Sequence, residues 1–148
     1  MENTRNLVQE VLENAYLLVL STNDSEGVWS APVVFIHDEQ LNLYWISQPT
    51  TRHSKALLEN PLVAGSIIAS FASDDERAVQ VSGRAELSGG PSFELIEKFA
   101  QKRNEPVPKT PDDVLGFLEG DRWYCLKPDT YKLTHSKHFG YENVFLKL

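Results

Sequence analysis

The chain has 148 residues, of which 41% are hydrophobic, so it is long enough to bury a core without a disulfide or a structural metal. Its 21 Asp and Glu exceed its 14 Lys and Arg, and the formal net charge of -7 argues against a broad basic surface for nucleic acid or an anionic membrane. The single cysteine, Cys125, excludes an internal disulfide, fits a reducing compartment and is interpreted as a buried structural thiol.

The N-terminal stretch MENTRNLVQEVLEN carries Glu and Asn where a signal peptide requires an uninterrupted apolar core. No later segment approaches the ~20 apolar residues of a membrane-spanning helix. We therefore expect a cytoplasmic protein with neither a membrane partner nor a nucleic-acid partner.

The first part of the chain predicts one helix followed by a β-hairpin. After the capping candidates Asn3 and Thr4, apolar side chains recur at helical spacing. They are Leu7, Val8, Val11, Leu12 and Ala15. Two apolar runs, AYLLVLST and VWSAPVVFIHD, flank the turn-rich NDSEG and predict a hairpin. Pro32 interrupts the second run, which is typical of an edge strand or a bulge and leaves backbone open to a ligand.

The run EQLNLYWIS predicts a third strand that is covered on both sides. Alternation puts Leu41, Leu43 and Trp45 on one face. Tyr44 and Ile46 lie on the other face, and Trp45 is interpreted as a core residue rather than as a cofactor-stacking one.

The next stretch, QPTTRHSKALLENP, predicts a helix with an unusual first turn. Thr50 or Thr51 can cap the helix, and Asn60 before Pro61 ends it. The partial positive charge of a helix start disfavours cations. The first turn nevertheless carries Arg52, His53 and Lys55. Two interpretations follow: a solvated helix face, or a phosphate site in which free N–H groups, the helix dipole and charged donors act together.

The remaining sequence predicts more short strands with single helices between them. LVAGSIIASF and RAVQVSGRAEL flank the acidic turn ASDDE as two strands, and a helix follows from about Pro91 to Arg103. A short helix starts within residues 110–113 and closes at Gly120. RWYCLKP, TYKLTH and YENVFLKL predict three short strands. This mainly β pattern, with inserted helices, favours a closed or partly closed antiparallel barrel in a single domain, residues 1–148.

Few residues suggest catalysis or metal binding. His135 and His138, in HSKH, lack an accompanying Asp, Glu or Cys set, so we interpret them as exposed strand residues and predict no metal site. We find neither a Ser-His-Asp order nor a paired-carboxylate pattern, so the catalytic residues are unknown. An enzyme whose cofactor carries the chemistry needs no such signature.

The segment from Ala31 to Ile68, APVVFIHDEQLNLYWISQPTTRHSKALLENPLVAGSI, resembles the core of the pyridoxamine 5'-phosphate oxidase-like flavoproteins, the FMN-binding split-barrel group. The shared order is a PV-F strand, an aromatic strand ending in Ser or Thr, an [S/T]-R-[K/H] helix start, NP and a small-residue strand. The likeness continues through ERAVQVSGRAEL and RWYCLKPDTYKL. It implies an antiparallel split β-barrel of the FMN-binding type.

The resemblance implies FMN as the cofactor and a set of residues that hold it. The backbone of the strand at Val33, Val34 and Phe35 would lie along the flavin ring, and the Ser47 hydroxyl would face it. The phosphate-binding positions match Thr51, Arg52 and His53, with Lys55 near enough to contribute. A glutamine common in the family falls at Ala78, and Gln80, two residues on and on the same face, is the substitute that we predict.

Two departures from the family pattern affect the functional interpretation. His53 stands where lysine is common, which predicts that phosphate affinity weakens as the pH rises. The C-terminal YKLTHSKHFGYENVFLKL lacks the arginine- and tryptophan-bearing segment of the true oxidases, so a vitamin B6 biosynthetic role is not supported.

Three hypotheses follow. The first is an FMN-dependent oxidoreductase acting on an unidentified small molecule, as a homodimer with two sites at the subunit interface and partner contributions from Trp123 or the Phe139 region. The alternative is a non-catalytic module that holds a flavin, a haem or a deazaflavin on the same barrel. The third is an empty barrel that serves as an oligomeric interaction domain.

Overall fold

The fold is that of a computed structural model, which describes residues 3–110 and 112–148. The helices are α1 (Thr4–Asn14), α2 (Arg52–Glu59), α3 (Phe93–Lys102), α4 (Asp113–Leu118) and α5 (Ser136–Phe139). The strands are β1 (Leu17–Asp24), β2 (Gly27–Val34), β3 (Ile36–His37), β4 (Leu43–Ser47), β5 (Leu62–Ala72), β6 (Asp75–Leu87), β7 (Arg122–His135) and β8 (Val144–Lys147). No helix in the described ranges is long and apolar enough to cross a membrane.

The strands form an antiparallel sheet, and this sheet curls into a barrel because its two end strands are neighbours in sequence. The order is β2-β1-β5-β6-β7-β4-β3, and β8 pairs with the second half of β7. The two end strands, β2 and β3, are separated in sequence only by Phe35. One nearly continuous segment therefore pairs with β1 on one side and with β4 on the other. This arrangement confirms the predicted antiparallel split barrel.

The barrel interior is filled by alternate strand residues and by one face of α1. Trp45, Phe35 and Tyr131 are fully buried there, and Tyr131 donates its hydroxyl to the carbonyl oxygen of Leu41 at 2.7 Å. Trp45 stacks on Tyr124 with ring centroids 6.1 Å apart. The core interpretation of Trp45 is therefore confirmed. The apolar positions predicted for the first helix all join this core: Leu7, Val8, Val11, Leu12 and Ala15.

A second apolar cluster lies outside the barrel, where α3 covers β3 and β4. Ile96 and Phe99 of α3 pack with Trp123, and the rings of Phe99 and Trp123 meet edge to face at 5.2 Å. Four outward-facing strand residues pack against this cluster: Val34, Ile36, Tyr44 and Ile46. Both faces of β4 are therefore covered, as its sequence predicts.

The hairpin, the caps and the edge position of Pro32 agree with the sequence predictions. Asn3 caps α1 by accepting a hydrogen bond from the N–H of Arg5 at 2.9 Å. Asn60 ends α2. Pro32 lies in β2, an end strand of the hydrogen-bonded order. Cys125 is buried.

Two predictions about the second half of the chain need correction, whereas the start of a third element, α4, agrees with its prediction. RWYCLKP and TYKLTH form one strand, β7, because a bulge beside Gly83 absorbs the irregularity at Pro128. The third helix begins at Phe93 with Ser92 as its cap, two residues after Pro91. The described start of α4 is Asp113; Pro111, which we included in the start signal, lies outside the described residues.

The predicted exposed strand histidines also differ from the structure. His135 is only 4% exposed at the end of β7, whereas His138 belongs to α5. Their rings meet edge to face with centroids 4.6 Å apart. Among the described residues, no cluster of three or more His, Cys, Asp or Glu is arranged to hold a metal ion.

Candidate functional site

The start of α2 is fixed directly after the end of β4. Thr51 is the N-cap, and its hydroxyl oxygen accepts a hydrogen bond from the N–H of Ser54 at 3.3 Å. The turn before it is closed by the Thr51 N–H, which donates to the carbonyl oxygen of Gln48 at 3.2 Å. The N–H groups of Arg52 and His53, in the first turn, have no acceptor within the helix. The chain thus presents free helix donors beside Ser47.

Ser47 and His53 form a half-buried polar pair at this point. Ser47 Oγ lies 2.8 Å from His53 Nε2, and Ser47 is 9% exposed. Burial lowers the pKa of His53 below its usual value of 6.5. At neutral pH the imidazole is therefore an uncharged hydrogen-bonding group, and its titration falls in a more acidic range than the sequence alone indicates.

Arg52 already has an anionic partner within the chain. Its Nε lies 3.3 Å from Asp24 Oδ2, and its Nη2 lies 3.3 Å from Asp24 Oδ1. The guanidinium also lies over the Trp29 ring, 4.4 Å from the ring centroid. The hydrogen bond from Arg52 lowers the pKa of Asp24. Arg52 is thus held by the β1–β2 hairpin and is not a freely solvated side chain, whereas Lys55 is exposed.

The Val33 to Phe35 segment lies opposite the end of β4. Continuing the β3–β4 register from the Ile36–Tyr44 pair places Val33 opposite Ser47. Val33 and Phe35 point into the barrel, and Val34 packs outside against the α3 cluster. The carbonyl oxygen of Phe35 accepts a hydrogen bond from Lys102 Nζ at 2.6 Å. The side chains of this segment are therefore taken up by packing, inside the barrel and against the α3 cluster.

Gln80 is not brought to this group within one chain. It pairs with Lys132 of β7, whereas Ser47 pairs with Arg122, ten positions earlier on the same strand, which corresponds to about 30 Å of extended chain. Gln80 is exposed on the outer face of β6, where it lines a cavity of about 290 Å³ with Ser66 and Ile68. The predicted site residues of β2–β3, β4 and α2 therefore lie in one region of the chain, and Gln80 lies apart from them.

A large cavity in the described part of the chain adjoins the end of β4 and was not predicted from the sequence. Its volume is about 670 Å³, with Ile46 and Gln48 on one side. The α3–α4 connection forms the other side through Arg103, Glu105, Pro106, Val107, Pro108 and Lys109. The two prolines were a usable signal, since they fix the backbone and withhold donors from regular structure.

The buried histidines make folding stability sensitive to acid. Burial lowers the pKa of both His53 and His135 in the folded chain, so the unfolded chain binds more protons as the pH falls through 6.5. We expect the free energy of unfolding to decrease from pH 7 to pH 5.5, by at most about 1.4 kcal/mol per pH unit for each histidine. Urea denaturation across this range should show a shallower decrease for His53→Gln than for the wild type. Equal slopes would contradict the assignment to His53.

The β2–β3 segment closes the antiparallel barrel, and the start of α2, with its free N–H donors, follows the end of β4. Together these features define a small split-barrel protein. The family described as pyridoxamine 5'-phosphate oxidase matches residues 5–116, and the chain belongs to this pyridoxamine 5'-phosphate oxidase-like family. The resemblance seen in the sequence is thereby confirmed at the level of the family.

Individual relatives show the fold but not the activity. The UPF0306 protein of Yersinia pseudotuberculosis serotype O:1b is 32% identical over 62 residues, which are 41% of this chain and 42% of that protein. General Stress Protein 26 from Bacillus anthracis str. Sterne has a TM-score of 0.68 at 20% identity, covering 97% of this chain and 98% of its own. A heme binding protein from Mycobacterium smegmatis has a TM-score of 0.69 at 14% identity, covering 99% of this chain and 59% of its own.

Proposed function

We propose that this chain, residues 1–148 as a single domain, binds FMN and acts as a flavin-dependent oxidoreductase on a small molecule. The observation that carries the proposal is the α2 start, where the free N–H groups that follow the Thr51 cap lie with Arg52 and Lys55 in a protein of net charge -7. It lies at the end of β4, next to the cavity of about 670 Å³.

The residues at the α2 start fit a phosphate group. The free N–H groups of the first turn and the helix dipole favour an anion, and the Arg52 guanidinium adds donors. Because Arg52 contacts Asp24 through Nε and Nη2, its Nη1 is left to donate to a ligand. Lys55 is exposed one turn along, and neutral His53 supplies a hydrogen bond rather than a charge.

The ring end of the proposed site is the backbone from Val33 to Phe35 together with Ser47. Both lie at the β2–β3 to β4 junction, and the 670 Å³ cavity beside Ile46 and Gln48 offers space for a small-molecule substrate. When bound, the flavin ring supplies hydride and electron transfer. The chain's residues would bind and orient the cofactor, and the α3–α4 connection would shield the site from water.

A homodimer is part of the proposal. The outer face of β1 and β5 leaves Leu17, Leu62 and Ile68 between 41% and 55% exposed, which is unusual for the solvent face of an antiparallel sheet. A second copy covering this face would bury these side chains. Gln80 lies on the neighbouring strand of the same face, so its predicted role in cofactor binding requires that interface.

A comparison of FMN with riboflavin tests the proposal. We expect purified protein to retain a flavin spectrum after excess FMN is removed, and to bind FMN at least about tenfold more tightly than riboflavin, because only FMN carries the phosphate. Analytical ultracentrifugation should give twice the chain mass of 16.7 kDa. Failure to retain FMN, or equal affinity for both flavins, would reject the phosphate assignment. A monomer would reject the interface only.

A non-catalytic cofactor-binding module is the second candidate. The similarity of fold to a heme binding protein over 99% of this chain favours it. Steady oxidation of a reduced nicotinamide by the FMN-loaded protein would support the oxidoreductase. A bound haem or deazaflavin without donor turnover would support the module.

A further inference from the structure

A second cavity, separate from the α2 start, lies between α1, β3 and α3. Its volume is about 360 Å³, which is near the lower end of the range for small-molecule sites. Leu12 and Ile36 give it apolar walls. Its polar lining consists of Glu13, His37, Lys98, Gln101 and Lys102. None of the residues in the proposed FMN site lines it.

Lys102 is a half-buried cation without a carboxylate partner. Its Nζ donates to the carbonyl oxygen of Phe35 at 2.6 Å and lies 3.8 Å from the centroid of the Phe35 ring. Among the described residues, no carboxylate lies within ion-pair distance of Nζ. A lysine ammonium has three N–H donors, so two of them are left for a ligand in the cavity.

The other charges around the cavity are also mainly positive. Lys98 lies one helical turn before Lys102 and is exposed at the rim. His37 Nε2 lies 3.1 Å from Glu13 Oε1, and His37 Nδ1 lies 3.2 Å from the carbonyl oxygen of Asp38. Two lysines, Lys98 and Lys102, therefore face a single carboxylate, that of Glu13, around this cavity.

We propose that this cavity is a binding site for a small organic anion, with Lys102 and Lys98 as its charged donors and Leu12 and Ile36 contacting the apolar part. The anionic group is a carboxylate or a phosphate, both of which accept charge-assisted hydrogen bonds from ammonium groups. In an acidic protein, such a local excess of cations around a cavity provides the counter-charge that an anion needs. The site shares no lining residue with the proposed flavin site, and Lys102 contacts that site through its hydrogen bond to the Phe35 carbonyl oxygen.

The protonation of Lys102 gives the site a measurable signature. Burial lowers the pKa of Lys102 to about 8. A bound anion favours the ammonium form and should raise this pKa by about one unit, which corresponds to about tenfold tighter binding below pH 8 than well above it. The other groups that face the cavity are Glu13 from α1, His37 from β3 and Lys98 from α3.

The test is a residue-specific lysine titration by NMR, using the side-chain Cε and Nζ signals of isotope-labelled protein. Inorganic phosphate and butyrate serve as probes, at constant ionic strength set with chloride. We expect either probe to raise the pKa of Lys102 by about one unit. Lys127, which is exposed on β7, is the control signal and should not respond. A response to phosphate alone or to butyrate alone would support the site and identify the anionic group.

Variants separate the site from general charge effects. Lys102→Met keeps an apolar stem against Phe35, and it should abolish the response of the Lys98 signals to both probes, which is the readout that remains in this variant. Lys98→Gln, at an exposed position that leaves the fold intact, should weaken binding severalfold, whereas Lys127→Gln should not. Arg52→Ala should leave the response of Lys102 intact, because Arg52 does not line this cavity. The proposal is wrong if neither probe shifts the pKa of Lys102, or if Lys98→Gln binds both probes as tightly as the wild type.

Discussion

Gly83→Ala should destabilise the barrel by about 3 kcal/mol or prevent folding, at the upper end of the range for overpacked sites. A Cβ at Gly83 would lie 2.2 Å from the carbonyl oxygen of Lys127 and 2.9 Å from the Cα of Pro128. Both are backbone atoms, so no side-chain rotation relieves the clash. The strands can accept the methyl group only by moving apart at the point where β6 and β7 shift register.

Gly89→Ala is the matched control for this prediction. A Cβ at Gly89 would meet no atom within 4 Å, so we expect its stability to change by about 0.5 kcal/mol or less. Urea denaturation of the two variants and the wild type measures the difference. Equal denaturation midpoints for Gly83→Ala and the wild type would mean that the bulge relaxes freely around an added methyl group.

The bulge beside Gly83 also matters for the candidate site. It fixes the register of β7 on β6, and β7 in turn pairs with β4 up to the Ser47–Arg122 pair. A slip of one residue in β7 would turn its buried side chains, Trp123 among them, to the opposite face. A folded Gly83→Ala variant is therefore expected to lose order around Ser47.

Local sequence signals predicted the elements that local physics controls. The helical spacing of α1, the cap at Thr51 and the two faces of β4 depend on residues a few positions apart, and all three were predictable. The continuity of β7 was not predictable from the sequence, because Pro128 and Asp129 are typical both of a turn between two strands and of a bulge within one strand.

Contacts between distant parts of the chain could not be predicted from the sequence. The charge that offsets Arg52 belongs to Asp24, 28 residues earlier, and only the hairpin brings the two together. Lys102 contacts the carbonyl oxygen of Phe35 across 67 residues. The sequence indicated that Arg52 needs a nearby anion. A carboxylate of the same chain and a bound phosphate are both consistent with that sequence pattern. Binding measurements on variants distinguish the ion pair from the phosphate site.

Arg52→Ala should lower the affinity for FMN about 10- to 100-fold, since a hydrogen bond to a charged group contributes about 1.5–3 kcal/mol. The affinity for riboflavin should stay nearly unchanged, because that ligand lacks the phosphate. Flavin fluorescence titration measures both constants, and Lys127→Ala, which removes an exposed cation from β7, is the control. Unchanged FMN affinity in folded Arg52→Ala protein would mean that Arg52 serves only its ion pair with Asp24.

Asp24→Asn gives the opposite expected result for the same pair. The carboxylate of Asp24 occupies Nε and Nη2 of Arg52, so it competes with a phosphate for the guanidinium. Removing its charge while keeping an oxygen acceptor should tighten FMN binding severalfold and leave riboflavin unaffected. Weaker FMN binding in Asp24→Asn would instead show that the carboxylate orients Arg52 for the ligand. Because a purely structural pair would move neither constant, the two variants together determine whether the cations at the α2 start serve the fold or a cofactor.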